Sequence, residues 1–429
     1  MYLEQKLEEP KMYQAPRGTQ DILPEEQPYW RYIEKAIYEV TRLYGFQRID
    51  SPVFEETSLF TRSVGEGTDI VDKEMYTFND KGDKSMTLRP EGTASVCRAY
   101  IQHGMQNLPQ PVKLFYITSI FRYDRPQAGR LREHHQFGCE AMGDDDPAID
   151  AEVIDLAWRF YKTLGLKNIS LQLNSIGCQV CRPQYLEALK NYYRPYYDQL
   201  CNDCKNRLEK NPLRLLDCKQ ESCQGFAENA PRSHDKLCPD CAAHFQQLQK
   251  YLGALNIPYR INHRLVRGLD YYTRTVFEVQ PEQEGGQSAL GGGGRYDGLI
   301  EQLGGKPTPA FGFGLGIERI ILNLKKENIN VPTPSPLQTY IAYMGEPARD
   351  AAFKLTAELR AAGIGVIGAT GSKSLKAQLR QANNMGALYA VIIGEDEVKA
   401  GTVVLRHMAD AVQETIKTSD LAQRLKNPG

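Results

Sequence analysis

The feature that most constrains the fold is a proline-rich break late in the chain. Residues 330–336 read Asn-Val-Pro-Thr-Pro-Ser-Pro, and prolines at that density stiffen the backbone and exclude a helix. The chain has 429 residues, too many for one ordinary hydrophobic core. The break therefore predicts a boundary between a domain of residues 1–330 and a domain of residues 335–429.

Charge and hydropathy exclude several classes of protein. The 52 basic and 53 acidic residues nearly cancel, so any nucleic-acid binding must come from a local basic surface. The first ten residues are charged and lack the apolar core of a signal peptide, and no run of eighteen apolar residues occurs. These features predict a cytoplasmic protein with no membrane partner.

Eight of the 10 cysteines lie in a charged stretch of residues 173–251. In a reducing compartment they are expected to be thiols or metal ligands before disulfides. Three pairs have the C-x-x-C spacing of zinc ligands, and two further cysteines, Cys218 and Cys223, lie between the pairs. From spacing alone the best zinc tetrad is Cys201, Cys204, Cys238 and Cys241. Ordinary free thiols are the alternative, so zinc is possible but not predicted.

Two strand-like segments surround a basic, turn-like loop. Residues 112–122 favour a strand, residues 123–130 form the loop, and residues 131–142 favour a second, antiparallel strand. Because side chains alternate along a strand, one face of the second strand carries Arg132, His134, Gln136, Gly138 and Glu140. A guanidinium, an amide and a carboxylate on one face suit a small zwitterion. An ordinary solvent-exposed sheet face is the alternative.

A third segment, residues 265–279, places Arg267 just before a strand-like run. The mouth of a strand is a common position for a phosphate-binding arginine. In the alternative, Arg267 is a structural ion-pair partner of a neighbour such as Asp270. The adjacent Tyr271 and Tyr272 are expected to point to opposite faces and to play different roles, or to be core aromatics.

Glycines dominate two later segments. Residues 291–294 are all glycine, which allows a ligand to approach the backbone closely or forms a flexible hairpin tip. They do not form a P-loop, because no Lys-Ser/Thr follows them. Residues 311–320 alternate small residues along a strand and then begin a helix. That surface could stack an adenine ring with Arg319 on the phosphates, or it marks close packing.

The pattern after the break differs from the pattern before it. Residues 340–343, 388–393 and 402–405 favour strands, whereas residues 350–362 and 374–385 favour helices. This alternation predicts a small, separate α/β domain.

Taken together, these segments resemble the motifs of class II aminoacyl-tRNA synthetases, and specifically those of the bacterial histidyl-tRNA synthetase family. Residues 51–55 resemble motif 1, Phe121-Arg122 with the return strand resembles motif 2, and residues 313–319 resemble motif 3. Residues 265–272 and 292–297 resemble two peptides peculiar to the histidyl enzymes. Residues 15–21 and 88–93 also match the family.

The resemblance implies an α+β fold with a class II antiparallel sheet flanked by helices. The sheet would have six antiparallel strands and an extra parallel strand. The catalytic domain would span residues 1–330, interrupted by a cysteine-rich insertion at residues 173–251, and residues 335–429 would form a C-terminal α/β anticodon-binding domain. The family implies a homodimer formed through motif 1, with L-histidine, ATP with Mg²⁺ and tRNA(His) as partners. It generally works without a structural zinc.

The resemblance also implies a role for each matching residue. The histidine α-amino group would be held by the loop of Glu91, Gly92 and Thr93 together with Gln136, and the imidazole by Glu140 and Tyr272 beside Tyr271. The catalytic residues Arg122 and Arg267 would face the histidine carboxylate and the α-phosphate. ATP would be bound by Arg122, Arg130 and Arg319. No residue is assigned to a metal.

Two alternatives remain for the function. A non-catalytic regulatory paralogue of ATP phosphoribosyltransferase would keep the catalytic core but typically lacks the anticodon domain and loses motif residues. A zinc-bearing nucleic-acid-binding module built around the cysteines is the third candidate. The presence of Arg122, Arg267, Arg319 and a C-terminal domain favours the enzyme.

Overall fold

A computed structural model describes residues 12–65, 68, 70–282, 289–333 and 337–427. The chain divides into two compact units, Met1–Val331 and Pro332–Gly429. Residues 334–336, which include the end of the proline-rich break and the predicted start of the second domain at Ser335, lie outside the described residues. No helix in the described ranges is long and apolar enough to cross a membrane.

The first unit combines strands and helices throughout its length. Its described strands are β1 Gln47–Arg48, β2 Phe54–Glu56, β3 Tyr76–Asn79, β4 Ser85–Leu88, β5 Val112–Phe121, β6 Glu133–Met142, β7 Ile169–Ser175, β8 Tyr259–Ile261, β9 Thr273–Pro281, β10 Gly291–Arg295 and β11 Ala310–Gly316. Its described helices are α1 Gln27–Leu43, α2 Thr57–Val64, α3 Thr93–Gln102, α4 Pro147–Thr163, α5 Arg182–Tyr193, α6 Asn202–Lys210, α7 Glu221–Glu228, α8 Pro239–Ala254, α9 Leu299–Gln302 and α10 Ile317–Lys326.

The main sheet of this unit has the strand order β1-β5-β6-β11-β10-β9-β7-β8. All neighbours from β5 to β7 are antiparallel, which confirms the expected six-stranded arrangement. The expectation of one extra parallel strand was incomplete, because β1 pairs in parallel with β5 at one edge and β8 with β7 at the other. The second parallel strand arises because the chain returns from the insertion beside β7. A smaller sheet has the order β2-β4-β3.

One face of the main sheet packs against helices. Phe137 and Cys139 of β6 and Phe313 of β11 are buried in a core that also contains residues of α1, α4 and α8. Strands whose side chains alternate in this way bury one face and leave the other for a site.

A buried ion network joins the helices to the sheet. Arg295, at the end of β10, is fully buried and donates hydrogen bonds to Asp150 of α4 at 2.5 and 3.0 Å. Asp150 also pairs with His244 of α8 at 2.8 Å. Burial raises the pKa of the Asp150 carboxyl, but Arg295 and His244 outweigh it and hold that pKa below its usual value. Removing one partner would leave a buried charge without compensation, so the network is stable only when its partners are present together.

The cysteine-rich insertion lies between β7 and β8. Leu173, where the sequence places its start, is within β7, which continues to Ser175. Its last helix, α8, contributes Phe245 and Leu248 to the main core. The helices before α8 instead share a second core with the segment before β9, including Tyr271 and Tyr272. The insertion is therefore packed against the segment that carries Arg267.

The second unit has its own sheet and its own core. Its described elements are β12 Thr339–Tyr343, α11 Glu346–Ala361, β13 Val366–Gly368, α12 Leu375–Asn384, β14 Tyr389–Ile393, α13 Glu395–Ala400, β15 Thr402–His407, β16 Gln413–Lys417 and α14 Leu421–Lys426. The strand order is β13-β12-β14-β15-β16, parallel around β12 and antiparallel from β14 to β16. The predicted α/β pattern is confirmed, with two strands that the pattern missed because β13 is short and β16 is polar.

Candidate active site

The face of β6 that turns away from the helices carries Gln136, Gly138 and Glu140. Phe137 and Cys139, between them, lie in the main core. The predicted alternation is therefore confirmed. The predicted antiparallel partner is confirmed as well, since β5 pairs with β6 from Val112↔Met142 to Phe121↔Glu133.

Glu140 is fully buried in a cluster of polar side chains, the carboxylate pocket. Its carboxylate accepts hydrogen bonds from the hydroxyls of Tyr296 at 2.5 Å, Thr93 at 2.8 Å and Tyr116 at 3.3 Å. Burial raises the pKa of Glu140 to about 8, although the Tyr296 and Thr93 hydroxyls act in the opposite direction. The pocket therefore holds a carboxyl group poised between its neutral and charged forms near neutral pH.

Tyr116 fills the space between two glycines in this pocket. A Cβ on Gly92 would lie 2.4 Å from its ring, and a Cβ on Gly138 would lie 2.1 Å from it. A Cβ on Gly312 of β11 would lie 1.8 Å from the Glu140 carboxylate. These positions must remain glycine for the buried tyrosine and carboxylate to fit.

Glu91 lies beside the pocket, just before α3, and is also buried. Its carboxylate accepts hydrogen bonds from the backbone N–H groups of Thr93 at 2.7 Å and Ala94 at 2.8 Å. The carboxylate thus caps the first turn of α3, where helix amides lack partners. Burial raises the pKa of Glu91, and these amides together with Arg122 counteract the rise.

The two adjacent tyrosines do not point to opposite faces, so that prediction was wrong. The rings of Tyr271 and Tyr272 lie 4.7 Å apart, and Tyr271 is also 5.7 Å from Tyr296. The reason is that β9 begins only at Thr273, so both tyrosines lie in the turn before the strand. Tyr271 donates a hydrogen bond to Glu91 at 3.4 Å, which links the turn to the pocket.

A cavity of about 220 Å³, lined in part by Gln136, adjoins the carboxylate pocket. Its lining includes Arg122, Arg130, Arg267 and Arg319, together with His134. Burial and the nearby Arg122 and Arg319 guanidiniums lower the pKa of His134 to about 3, so its imidazole is neutral. Asp124, Glu278 and Glu318 line the same cavity, so its four guanidiniums leave an excess of one positive charge. Arg130 pairs with Asp124 at 2.9 Å. Guanidiniums that face a cavity bind the oxygens of a polyanion.

Two of these arginines are held by backbone carbonyls. Arg319 donates hydrogen bonds to Gly129 at 2.8 Å and to Ala289 at 2.7 Å, and Arg122 donates to Pro90 at 2.7 Å. Neutral partners fix the guanidiniums without cancelling their charge. Burial lowers the pKa of Arg319, and Arg130 lowers it further, which reflects the repulsion between like charges in the cavity.

Arg267 has an acidic partner, but it is not Asp270. Its Nη1 donates to Glu278 of β9 at 2.6 Å, whereas Asp270 accepts from Asn211 at 2.7 Å. Burial lowers the pKa of Arg267, but Glu278 and the adjacent tyrosines outweigh it and raise the pKa overall. The buried Nε of Arg267 has no hydrogen-bond partner among the described residues. A buried, unsatisfied donor at a cavity indicates a place for a ligand oxygen.

The glycine run forms a central strand, so the hairpin-tip alternative was wrong. β10 lies between β9 and β11, and a Cβ on Gly293 would lie 1.9 Å from the carbonyl oxygen of Gly312. A Cβ on Gly292 would lie 3.1 Å from Arg267. Because these glycines have no side chains, β10 leaves space beneath the Arg267 guanidinium. The predicted strand and helix of residues 311–320 are confirmed as β11 and α10.

The zinc tetrad inferred from spacing does not form. Cys201 and Cys204 lie with Cys218 and Cys223, whereas Cys238 and Cys241 lie with Cys178 and Cys181. The reason is that the insertion folds back on itself, which brings its two ends together and leaves its middle cysteines as a separate group.

The sequence patterns assigned no role to three residues of the site. Tyr116 and Tyr296 donate to Glu140, and Glu278 pairs with Arg267. All three lie within or beside the segments singled out above. For Tyr116 a signal was available, because it shares a face of β5 with Leu114 and Thr118 and opposes Gly138 across the strand pair.

Comparison with known proteins agrees with this geometry. A family model described as histidyl-tRNA synthetase matches residues 18–320, and one described as an anticodon binding domain matches residues 338–428. The chain is 62% identical to a histidine–tRNA ligase of Dehalococcoides mccartyi over 97% of this chain and 99% of the relative. It is 51% identical to that of Pelotomaculum thermopropionicum over 96% of this chain and 97% of the relative.

Solved structures give the same result. The apo histidyl-tRNA synthetase of S. aureus aligns with a TM-score of 0.80 and 40% identity, covering 97% of this chain and 100% of that one. A Bacillus halodurans chain described as an ATP phosphoribosyltransferase regulatory subunit/histidyl-tRNA synthetase shares the fold at a TM-score of 0.65, with 24% identity over 90% of this chain and 99% of that one. The matches do not favour the regulatory paralogue, and they show that the chain belongs to the histidyl-tRNA synthetase family.

Proposed function

We propose that this histidine–tRNA ligase joins L-histidine to ATP in the first unit and transfers it to tRNA(His), whose anticodon the second unit binds. One observation carries the proposal. The buried carboxylates of Glu91 and Glu140 lie at the boundary with the cavity of four arginines, where Gln136 and Arg122 line that cavity. An amino acid with two nitrogen-bearing groups and one carboxylate fits that boundary, with its carboxylate toward the arginines.

Histidine recognition falls to the carboxylate pocket. Glu91, Thr93 and Gln136 hold the α-amino group, with Gly92 allowing Tyr116 to pack behind them. Glu140 and Tyr272 contact the imidazole, and Tyr271 supports Glu91. A carboxylate that accepts the imidazole N–H favours histidine over an apolar side chain of similar size, because the rival offers Glu140 no donor beyond the three protein hydroxyls that it already has.

Activation needs positioning and positive charge more than a protein nucleophile. The histidine carboxylate attacks the α-phosphorus of ATP, bound as its Mg²⁺ complex, and pyrophosphate leaves. Arg122 and Arg267 bind the carboxylate and the α-phosphoryl oxygens, and Arg130 and Arg319 bind the outer phosphates. Guanidiniums suit this chemistry because they stay charged and bind oxyanions with two N–H groups. The terminal ribose hydroxyl of the tRNA then attacks the adenylate carbonyl and releases AMP.

We further propose that the chain acts as a cytoplasmic homodimer. Residues 51–55, which resemble motif 1, include Val53 and Phe54, which are 45% and 49% exposed. Phe78 of β3 is 43% exposed and its ring lies 6.1 Å from that of Phe54. Adjacent large apolar side chains at the surface are typical of an interface between protein chains. Sedimentation at micromolar concentration would measure this association, with a Phe54→Ser variant for comparison.

The function is tested by ATP–pyrophosphate exchange with each amino acid in turn. Exchange should depend on histidine alone, and charging of tRNA(His) should follow in the same preparation. Exchange with a different amino acid would contradict the assignment of the pocket. No exchange at all would contradict the assignment of the arginine cavity.

A further inference from the structure

The two cysteine groups in the insertion have the geometry of metal sites. In the first group, Cys178, Cys181, Cys238 and Cys241, and in the second, Cys201, Cys204, Cys218 and Cys223, the ligand atoms all lie within 4.8 Å of one another. The Sγ atom of Cys178 is 3.8 Å from those of Cys181 and Cys238, and Cys201 is 3.8 Å from Cys218. A tetrahedral zinc with Zn–S bonds of about 2.3 Å holds its sulfurs about 3.8 Å apart.

The backbone around both groups is shaped for thiolates. The N–H of Cys178 donates to the sulfur of Cys181 at 3.3 Å, and the N–H of Cys201 donates to Cys223 at 3.4 Å. Gly177 has a φ of +72°, and a Cβ there would lie 2.7 Å from the Cys181 sulfur. Amide donors and a left-handed glycine beside a C-x-x-C pair allow its sulfurs to converge on one point.

All ten cysteines are free thiols, and sulfurs 3.8 Å apart are far from the roughly 2.05 Å of a disulfide. Eight thiols gathered in two groups of four are the ligand set of structural zinc. We propose that each group binds one zinc ion, so that the insertion carries two nested sites per chain. The outer site joins the two ends of the insertion, and the inner site closes its middle.

Both sites adjoin the segment that carries Arg267, Tyr271 and Tyr272. Next to the outer site, the N–H of Arg274 donates to Gly177 at 2.9 Å, and Arg182 donates to the backbone carbonyls of Gly177 and Tyr272. Next to the inner site, Arg264 donates to the carbonyl of Leu216 at 3.4 Å. Two zinc ions would thus fix both ends of residues 264–274. This positioning role rests on the proposed function, whereas the metal content does not.

The test begins with elemental analysis of the full chain, expressed with zinc and purified without chelator. Two zinc ions per chain are expected. The double variant Cys178→Ser/Cys238→Ser should lose the outer ion alone, and Cys201→Ser/Cys218→Ser the inner ion alone. Cys97→Ala/Cys139→Ala, which removes the two buried thiols outside the groups, is the matched control and should keep both ions.

Several results would overturn the proposal. These are one zinc or none per chain, iron in place of zinc, or a mass showing disulfides within the groups in freshly purified protein. Each of these results is measured on the unsubstituted protein, so the test does not depend on whether a variant folds. For the positioning role, removal of zinc with a chelator should reduce amide-exchange protection of residues 264–274 by about tenfold or more, while the second unit is unchanged. Unchanged protection of residues 264–274 would refute that role whether or not histidine is the substrate.

Discussion

Replacing Arg267 with alanine should have two separable consequences, because the guanidinium faces the cavity and also pairs with Glu278. Loss of one preorganised donor to a developing oxyanion typically costs about 10²–10³ in rate, or roughly 3–4 kcal/mol. The variant should therefore form adenylate at least about 100-fold more slowly, with near-normal affinity for histidine and ATP.

The same change should also lower stability. The side chains of Arg267 and Glu278 are 21% and 13% exposed, so the carboxylate left behind is poorly solvated. Gln280 also donates a hydrogen bond to Glu278, at 2.5 Å. Breaking a buried ion pair by removing one partner costs about 3–5 kcal/mol, and the residual exposure favours the lower figure. For a unit of this size, about 3 kcal/mol corresponds to a fall of about 4 °C in melting temperature.

A double variant separates the two effects. Glu278→Gln removes the stranded charge, so Arg267→Ala/Glu278→Gln should regain most of the melting temperature but none of the rate. Rapid-quench measurement of adenylate formation, with melting curves on the same preparations, provides both numbers. Arg267→Lys should recover little activity, because an ammonium does not reproduce the two-pronged guanidinium. Adenylate formation that returns with stability in the double variant would refute the catalytic assignment and leave Arg267 a structural residue.

Three further changes and one truncation test other parts of the structure. Glu140→Gln should raise the histidine KM by about 10²-fold or more and leave the ATP KM unchanged. The histidine affinity of the parent protein should rise as pH approaches 8, because the Glu140 carboxyl ionises there, and the variant should lack that rise. Gly312→Ala should weaken histidine binding, because the new Cβ displaces the Glu140 carboxylate. Gly253→Ala should not, because a Cβ there meets no atom within 4 Å. Equal histidine KM values for the two variants would contradict the steric argument. Arg295→Met should cost about 3–5 kcal/mol in urea unfolding at neutral pH. The pKa of Asp150 is held low in the folded parent, so the ion network stabilises the fold above the pKa that Asp150 has in the unfolded chain. This stabilisation is lost as pH falls through the pKa of Asp150 in the folded protein. A loss of unfolding free energy in Arg295→Met that does not shrink in acid would count against the ion network. Removing the second unit should spare histidine-dependent exchange but abolish most tRNA charging, and full charging by the shortened chain would exclude an anticodon-binding role.

Features that depend on local periodicity were predictable from the sequence. The two faces of β6 follow from strict alternation, so the alternation alone assigns Gln136 and Glu140 to one face. The strand-to-helix change at residues 311–320 and the strand–helix alternation after the proline-rich break are likewise local patterns.

Features that depend on a single backbone torsion or on long-range folding were not predictable. Arg274 has a φ of 48°, a left-handed conformation that is uncommon for a residue other than glycine. It coincides with the register shift between β9 and β10 at Gly294/Arg295, just after the two tyrosines. The pairing of Cys178 with Cys238 rather than with the middle cysteines depends on how the insertion returns to the sheet. C-x-x-C spacing contains no information on that return.

The parallel pairing of β7 with β8 has a consequence for how fast the sheet assembles. Leu171 and Tyr259 are neighbours in space but about 90 residues apart in the chain. The entropy lost in closing such a loop grows with the logarithm of its length. A link between Cys178–Cys181 and Cys238–Cys241 would remove about 60 residues from the loop, which lowers the closure cost by about 1 kcal/mol. An ion bound early at the outer cysteines should therefore speed the arrival of β8 at the sheet edge by about fivefold, by lowering the effective contact order of the first unit.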